Sequence, residues 1–592
     1  MRKILTLVIL TGVLTLSGCS LSKMIKMAND QNLTVNPNPL EVHADSVVFD
    51  ISATLPVKML QKGKVYSLNT FYKYGDTDMP LGTVEFDAND YPDASTTQPV
   101  ATHSFSFAYD DAMSRGDVEI VGVALDPKNG KTKETERLDI APGVITTSRL
   151  VNASYFAAYA DHGYNNQEEL VPANIEFFFQ QGRSDLRYSE RRSDRGKYFE
   201  TFVAEKNVTR TVTITGTHSP EGSETINSGL SQARAKVIED YYRKMMDKYD
   251  YKDAAGEIRF ILKPVIEDWT AFKAALSEYE GVSSEAKSEM VSIVNGPGTF
   301  EDKEDRLQKV NGYNKVFKDI YPGLRAAKTE ILTVKEKKTD AEISVLAKQI
   351  ANSQVNADTL SMEELLYAAT LTPSLDEKEA IYKAAIKKQD TWNAHNNLGA
   401  VYVAKAIENP ANASSFMQQA ETQLDIAENQ QSSAEANANL ASVYMMQGNR
   451  AKSREAAGTA LAMGGGNDLT AGVNGVAGAA DIMMAKYDYA LRELSSSAQT
   501  ADNMFNKGLA YLLTKDFQNA VTAFDEAIDL DNGHAKAYYG SAVAYARLQN
   551  GGKVAEMLKS AVDNDSSLKS KAATDLEFVN FASSADFIEA IK

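Results

Sequence analysis

Near its C-terminus the sequence repeats itself at a spacing of 34 residues. The segment Asn503-Met504-Phe505-Asn506-Lys507-Gly508-Leu509-Ala510-Tyr511 returns as Lys536-Ala537-Tyr538-Tyr539-Gly540-Ser541-Ala542-Val543-Ala544-Tyr545, which sets Gly508 against Ala542 and Tyr511 against Tyr545. Between the copies Phe517, Ala520, Phe524, Ala527 and Ile528 fall at helical spacing and predict a second helix. A helix pair of this length cannot bury its apolar faces alone. It must stack on neighbours, and a solenoid with a long groove for a peptide or partner protein follows. Earlier copies are less regular: Trp392 to Tyr402 matches Ala436 to Tyr444 at a spacing of 42, and a degenerate copy covers Val473 to Leu494. The alanine-rich stretch from 338 to 592 is predicted helical throughout.

The 34-residue period and its small and bulky alternation resemble the tetratricopeptide repeat. The resemblance implies protein–protein binding through residues 338–592, as an all-α tetratricopeptide-like solenoid.

The rest of the chain reads differently. From 39 to 150 the pattern is that of strands: Ser46 to Ala53, Tyr66 to Tyr74, Thr102 to Tyr109 and Asp117 to Leu125 alternate in the β manner, with turns such as Lys128-Asn129-Gly130-Lys131 between them. A β-sandwich is the economical prediction. A linker is expected over 151–173. From 174 to 337 strands and helices alternate, which predicts an α+β unit. Ile175 to Phe179 and Val208 to Gly216 are strands, and a helix runs from Glu224 to Tyr249 with Leu230, Val237, Tyr241 and Met245 at helical spacing.

Thr213-Ile214-Thr215-Gly216-Thr217-His218-Ser219-Pro220-Glu221-Gly222-Ser223, then Asn227, Leu230-Ser231 and Arg234-Ala235, resembles the signature of the OmpA-like peptidoglycan-binding domain. Tyr321-Pro322-Gly323-Leu324-Arg325 resembles the end of a variant with a helical insertion, predicted over Trp269–Leu276, Ser284–Val294 and Lys303–Ile320. In that family a loop aspartate and a helix arginine hold the ionised ends of a peptide stem. The resemblance implies peptidoglycan binding by Arg234, Asn227, His218 and Ser219. Ser219 stands where the family has its aspartate, so Glu221 or another side chain would have to supply the anion.

The chain carries a single cysteine among 592 residues, which excludes an internal disulfide and any multi-cysteine metal site. Arg2 and Lys3, the apolar run Ile4–Leu16 and Ser17-Gly18 read as a signal peptide over 1–18. Leu16-Ser17-Gly18-Cys19 resembles the lipobox of bacterial lipoproteins, which implies lipidation of Cys19 and a membrane partner through that lipid. The polar stretch 19–38, with Pro37 and Pro39 at its end, reads as a tether. No aspartate follows Cys19, and the resemblance implies the outer membrane, facing the periplasm.

A net charge of −18 argues against nucleic acid as a partner. The histidines at 43, 103, 162, 218, 395 and 534 lack metal-ligand spacing, and no nucleophile or phosphate-loop motif occurs, so neither an enzyme nor a cofactor is expected. Gly472, Gly475 and Gly478 read as close helix packing. The basic run Arg183, Arg187, Arg191, Arg192, Arg195 and Lys197 is interleaved with Asp185, Glu190 and Asp194 and reads as a solvated face. The expected function is a cell-envelope adaptor. The alternative is an accessory subunit of an outer-membrane secretion, fimbria or uptake assembly, whose OmpA-like domain no longer binds the wall.

Overall fold

The computed structural model describes residues 16–251, 256–265 and 269–592. Residues 1–15, with most of the expected signal peptide, lie outside the described residues, as does the side chain of Cys19. The chain forms two compact units: residues up to Tyr164 join Asp340–Lys592 in one, and Asn165–Thr339 form the other.

The first unit opens with helix α1 (Leu16–Met27) and the strands β1 (Asn32–Asn36), β2 (Leu40–His43), β3 (Ser46–Thr54), β4 (Val65–Tyr74), β5 (Thr77–Asp87), β6 (Val100–Ala108), β7 (Gly116–Asp126), β8 (Lys131–Glu134), β9 (Leu138–Pro142) and β10 (Val144–Ile145). They make two 5-stranded sheets, one in the order β1-β3-β2-β10 with β6 on β3, the other β5-β4-β7-β8 with β9 on β7. Side chains from both sheets fill one core, where Phe107 of the first, edge-on to Phe49, meets Tyr72 of the second. One-sided burial is what makes the strands legible: Val47, Phe49, Ile51 and Ala53 are buried while Val48 stands out in solvent.

The tether expected over 19–38 is a correction. Leu21, Met24, Ile25 and Ala28 recur on one face of a helix, and Leu21, Met24 and Ala28 are buried in the sheet core. β1 then pairs antiparallel with β3 from Asn32 opposite Thr54 to Asn36 opposite Asp50. The many polar side chains of this stretch hid an apolar stripe.

From Asp340 the unit is helical. After Asp340–Ala351, Met362–Ala368 and Leu375–Lys388 come helix pairs: Trp392–Glu408 with Ala413–Gln430, Ala434–Met446 with Arg450–Met463, Asn467–Met483 with Tyr487–Leu494, Ala501–Leu513 with Phe517–Leu530, and Ala535–Arg547 with Gly551–Asn564. Second helices start on recurring caps: Asn449 accepts from the backbone N–H of Lys452, Asp516 from that of Asn519, and Asn550 from that of Lys553. Phe524 explains the small residues of the repeat. A Cβ on Gly508 or Gly540 would come within 2.6 Å of its ring.

The linker expected over 151–173 is corrected in two ways. Residues 151–164 form an extended strap in the solenoid's groove, described below, and Leu170–Phe178 is a strand, β11.

The second unit holds β11, helices α2 (Tyr188–Arg191) and α3 (Asp194–Ala204), β12 (Thr209–Gly216), α4 (Glu224–Lys248), β13 (Arg259–Pro264) and β14 (Ala326–Val334). Its 4-stranded sheet runs β11-β14-β12-β13, with β12 and β13 parallel and the other neighbours antiparallel. Phe199, Phe202 and Val203 of α3 and Ile238, Tyr242 and Met245 of α4 cover the sheet residues Ile175, Phe177, Val212, Ile214 and Ile331. Between β13 and β14 short helices from Thr270 to Leu324 close over a separate core of Trp269, Phe272, Met290, Phe300 and Tyr321.

Candidate functional site

In the second unit β12 ends at Gly216, whose missing Cβ lets the backbone of Ser231 on α4 approach. The expected residues Arg234, Asn227, His218 and Ser219 gather here, between the end of β12 and the first turns of α4. Three of them are buried, Arg234 at 1% exposed, Ser219 at 3% and Asn227 at 4%, and His218 is half-buried. The Arg234 guanidinium is engaged by the protein itself. Its Nε donates to Arg183 O at 3.0 Å, Nη1 to Thr217 O at 2.7 Å and Nη2 to Gln180 O at 3.3 Å. Burial, reinforced by the charge of Arg325, pushes its pKa down to about 10.

Arg325 completes the cluster, and sequence reasoning gave it no role. Its Nε donates to Ser219 Oγ at 2.8 Å, and Nη2 pairs with Glu221 Oε1 at 2.9 Å. Glu221, the candidate replacement anion, is thus already matched to a cation. Asn227 Nδ2 donates to Glu221 O at 3.1 Å and holds the loop. His218 lies edge-on to Phe300 at 5.4 Å, and its Nδ1 faces Ser219 O at 3.0 Å. At the start of α4, the Glu301 carboxylate accepts from Glu224 N at 2.8 Å, so a side chain of the inserted helices occupies the helix N-terminus where an anion is stabilised. The basic run beside this cluster is mostly paired: Arg183 with Asp185, Arg187 and Arg195 with Glu190, and Lys197 with Asp194.

In the first unit the groove face is built by the first helices of successive pairs, and it carries buried amides. Asn396, Asn397, Asn439, Ser442, Asn503 and Asn506 are each 3% exposed or less. All but Asn503 hold the strap by its backbone; Asn503 Oδ1 accepts from Ser154 Oγ at 3.2 Å. Asn506 Oδ1 accepts from Asn152 N at 2.9 Å while its Nδ2 donates to Asn152 O at 2.8 Å. Ser442 Oγ accepts from Phe156 N at 2.9 Å and donates to Phe156 O at 2.8 Å. Asn439 grips Ala158 N and O, both at 2.8 Å, and Asn397 grips Ala160 N at 2.6 Å and O at 3.1 Å. In an extended chain the N–H and C=O of one residue point the same way, and a side-chain amide offers the matching acceptor and donor. Lys536 Nζ adds bonds to Asn152 Oδ1 at 2.6 Å and Leu150 O at 3.3 Å.

The groove expected for a partner is therefore filled by the chain itself. Of the glycines read as helix packing, Gly478 does meet Leu494, whereas a Cβ on Gly472 would overlap the Phe156 ring of the strap, and one on Gly475 would meet Ser154 and Asn503. Among the described residues no group of three or more His, Cys, Asp and Glu could hold a metal ion, and no helix is long and apolar enough to cross a membrane.

No curated protein matches this chain in sequence. Among solved structures it is similar to YrrB, a TPR protein with an unusual peptide-binding site, at 21% identity over 31% of this chain and 92% of that one, with a TM-score of 0.26. It is similar to the C-terminal part of a TPR repeat-containing protein from Cytophaga hutchinsonii at 12% identity, covering 39% of this chain and 91% of that one, TM-score 0.28. It is also similar to the Cut9–Hcn1 hetero-tetramer of APC/C at 13% identity, covering 63% and 77%, TM-score 0.31. The family model of the tetratricopeptide repeat matches residues 501–534, and so the C-terminal helical region contains a repeat of that kind.

Proposed function

We propose that this chain is a lipoprotein of the bacterial outer membrane, facing the periplasm, that serves as an accessory subunit or scaffold and grips proteins through its helical repeats. The observation that carries the reading is the tetratricopeptide repeat at 501–534, set in a row of helix pairs whose inner helices already hold an extended polypeptide by its backbone. Lipidation rests on Leu16-Ser17-Gly18-Cys19. The second unit, with its resemblance to the OmpA-like domain, serves here as a structural or protein-contact unit and not as a wall anchor. Arg234 and Glu221, which would meet the charged ends of a peptide stem, are spent on backbone carbonyls and on Arg325.

Growth of cells with labelled palmitate should tag the mature protein, and Cys19→Ala should abolish the label and release the protein from membranes. The purified chain should fail to sediment with peptidoglycan, and cross-linking in intact envelopes should join residues of 340–592 to a membrane-associated protein. An unlabelled protein would remove the anchor from this reading. Retention on peptidoglycan that Arg234→Ala abolishes would restore the wall-binding role.

A further inference from the structure

We infer that the groove of the solenoid is a peptide-backbone site whose resident ligand is residues 151–160 of the same chain, a built-in competitor that an extended partner segment must displace. The inference rests on the repeats being a protein-binding module, and it is independent of the lipid anchor.

The grip has the form of ligand recognition. Asn506, Ser442, Asn439 and Asn397 each satisfy the N–H and the C=O of one strap residue, at 152, 156, 158 and 160, and so read an extended backbone on one edge, two residues apart from 156 to 160 and four from 152 to 156. The groove amides also brace one another: Asn439 Nδ2 donates to Asn396 Oδ1 at 3.0 Å, and Asn396 Nδ2 to Asn397 Oδ1 at 3.0 Å. Side chains are selected more loosely. Ala158 and Ala160 are 3% and 6% exposed, which calls for small residues there, and Phe156 lies over Gly472, which admits a ring. Tyr155 and Tyr159 are more than a third exposed and contribute little selection. A segment that competes for this groove is therefore extended, proline-free at the gripped positions, small at the places of Ala158 and Ala160, and aromatic two residues before the first of them.

Tethering sets the competition. Just before the strap Thr147 Oγ1 donates to Glu577 at 2.7 Å, and a ligand anchored so few residues from its site acts at an effective concentration on the order of millimolar, so a free peptide making the same contacts is at a disadvantage of about 100-fold or more at micromolar concentration. The groove is closed to free peptides while the strap is in place.

The test uses the full chain with Asn152, Phe156, Ala158 and Ala160 each replaced by proline, which removes the gripped N–H groups, and a fluorescein-labelled synthetic peptide with the sequence of residues 150–161. The replaced chain should bind the peptide saturably, at least about 100-fold more tightly than the unaltered chain, and Asn439→Ala with Asn397→Ala should abolish the binding. A replaced chain that keeps its helical circular dichroism and cooperative melting yet takes no peptide would overturn the inference. So would an unaltered chain that binds the peptide as tightly as the replaced one.

A second form covers the case in which the strap is needed for folding. A protease site inserted after Gly163 leaves the strap in its groove and cuts one of its two covalent connections. The cut chain should exchange its strap for labelled peptide, and the uncut chain should not. If neither takes up peptide at millimolar concentration, the groove is a permanent internal joint and the inference fails. Palmitate labelling is unaffected by any of these outcomes, so a failure here is distinguishable from a failure of the lipoprotein reading.

Discussion

Replacing Asn439 by alanine isolates the grip on the strap. Asn439 is fully buried, and its amide makes bonds to Ala158 N, Ala158 O and Asn396 Oδ1. In the alanine variant Ala158 O still accepts from Asn396 Nδ2 at 3.1 Å, but Ala158 N–H loses its acceptor. An orphaned buried donor costs about 1–3 kcal/mol, and each net bond lost about 0.5–1.5 kcal/mol. Some of this is recovered where water enters, which leaves roughly 2–4 kcal/mol against the closed strap. At 1.36 kcal/mol per tenfold, opening becomes about 30- to 1,000-fold more frequent. Amide hydrogen exchange of peptides covering 151–161, read by mass spectrometry, reports this directly. Protection of that segment should fall by the stated factor while the sheets of the first unit keep theirs. If protection over 151–161 changes less than threefold, the amide clamps do not hold the strap.

Gly472→Ala should lower the melting temperature, because the overlap with Phe156 costs about 1–3 kcal/mol while the helix gains only about 0.5–1 from losing a glycine. Combined with Phe156→Ala the sign should reverse; equal effects in both backgrounds would refute the contact. Arg234→Met strips donors from Arg183 O, Thr217 O and Gln180 O, and should destabilise the second unit by about 3 kcal/mol, seen as faster hydrogen exchange across β12 and α4. A variant as stable as the parent would return Arg234 to the list of ligand-binding side chains. The buried Glu304 accepts from the hydroxyls of Tyr313 and Tyr321, and burial raises its pKa above the ordinary 4.5. Its folded form therefore holds the proton more tightly, and the contribution to stability is fully present below 4.5 and lost as pH rises through the folded value. Relative to the parent, Glu304→Gln should gain stability over that same rise. Urea unfolding followed by Trp269 fluorescence in a Trp392→Phe background measures it, and a difference independent of pH would contradict the assignment.

The solenoid was legible because small residues of one helix meet a bulky one of its pair, Gly399 on Leu424, Gly478 on Leu494 and Gly508 on Phe524, and a packing requirement that recurs leaves a recurrent trace in the sequence. The sheets showed for a similar reason, since Val47 to Ala53 bury every second side chain. The strap left no such trace. It is extended without belonging to a sheet, and the bonds that hold residues 156, 158 and 160 run through its backbone, which no side-chain pattern records. Its partners did leave a signal: Asn396, Asn397, Asn439, Asn503 and Asn506 sit on core-facing helix positions where an amide without a partner is costly, and Asn397 and Asn439 fall at the same place in copies matched at a spacing of 42. In the second unit the sequence located the cluster but not its polarity. The same arginine can face a ligand or close on carbonyls, and only the positions of Gln180, Arg183 and Thr217 decide between them. Arg325 and Glu301 belong to the inserted region or its end, which departs from the resembled pattern, so their roles were out of reach.

The strap precedes its clamps along the chain by 237 residues at Asn397, 281 at Asn439 and 354 at Asn506. Closing the longest of these loops costs only about 0.4 kcal/mol more than closing the shortest, so no clamp is favoured by chain entropy to engage first. What matters is order of arrival. A polypeptide that emerges N-terminus first exposes Tyr155-Phe156-Ala157-Ala158-Tyr159, bare of backbone partners and inviting to any stray β-edge, until the helices from 392 onward have formed around it. The groove is made after the thread that fills it, and the longer that thread stays bare the less of the newborn protein reaches its folded state.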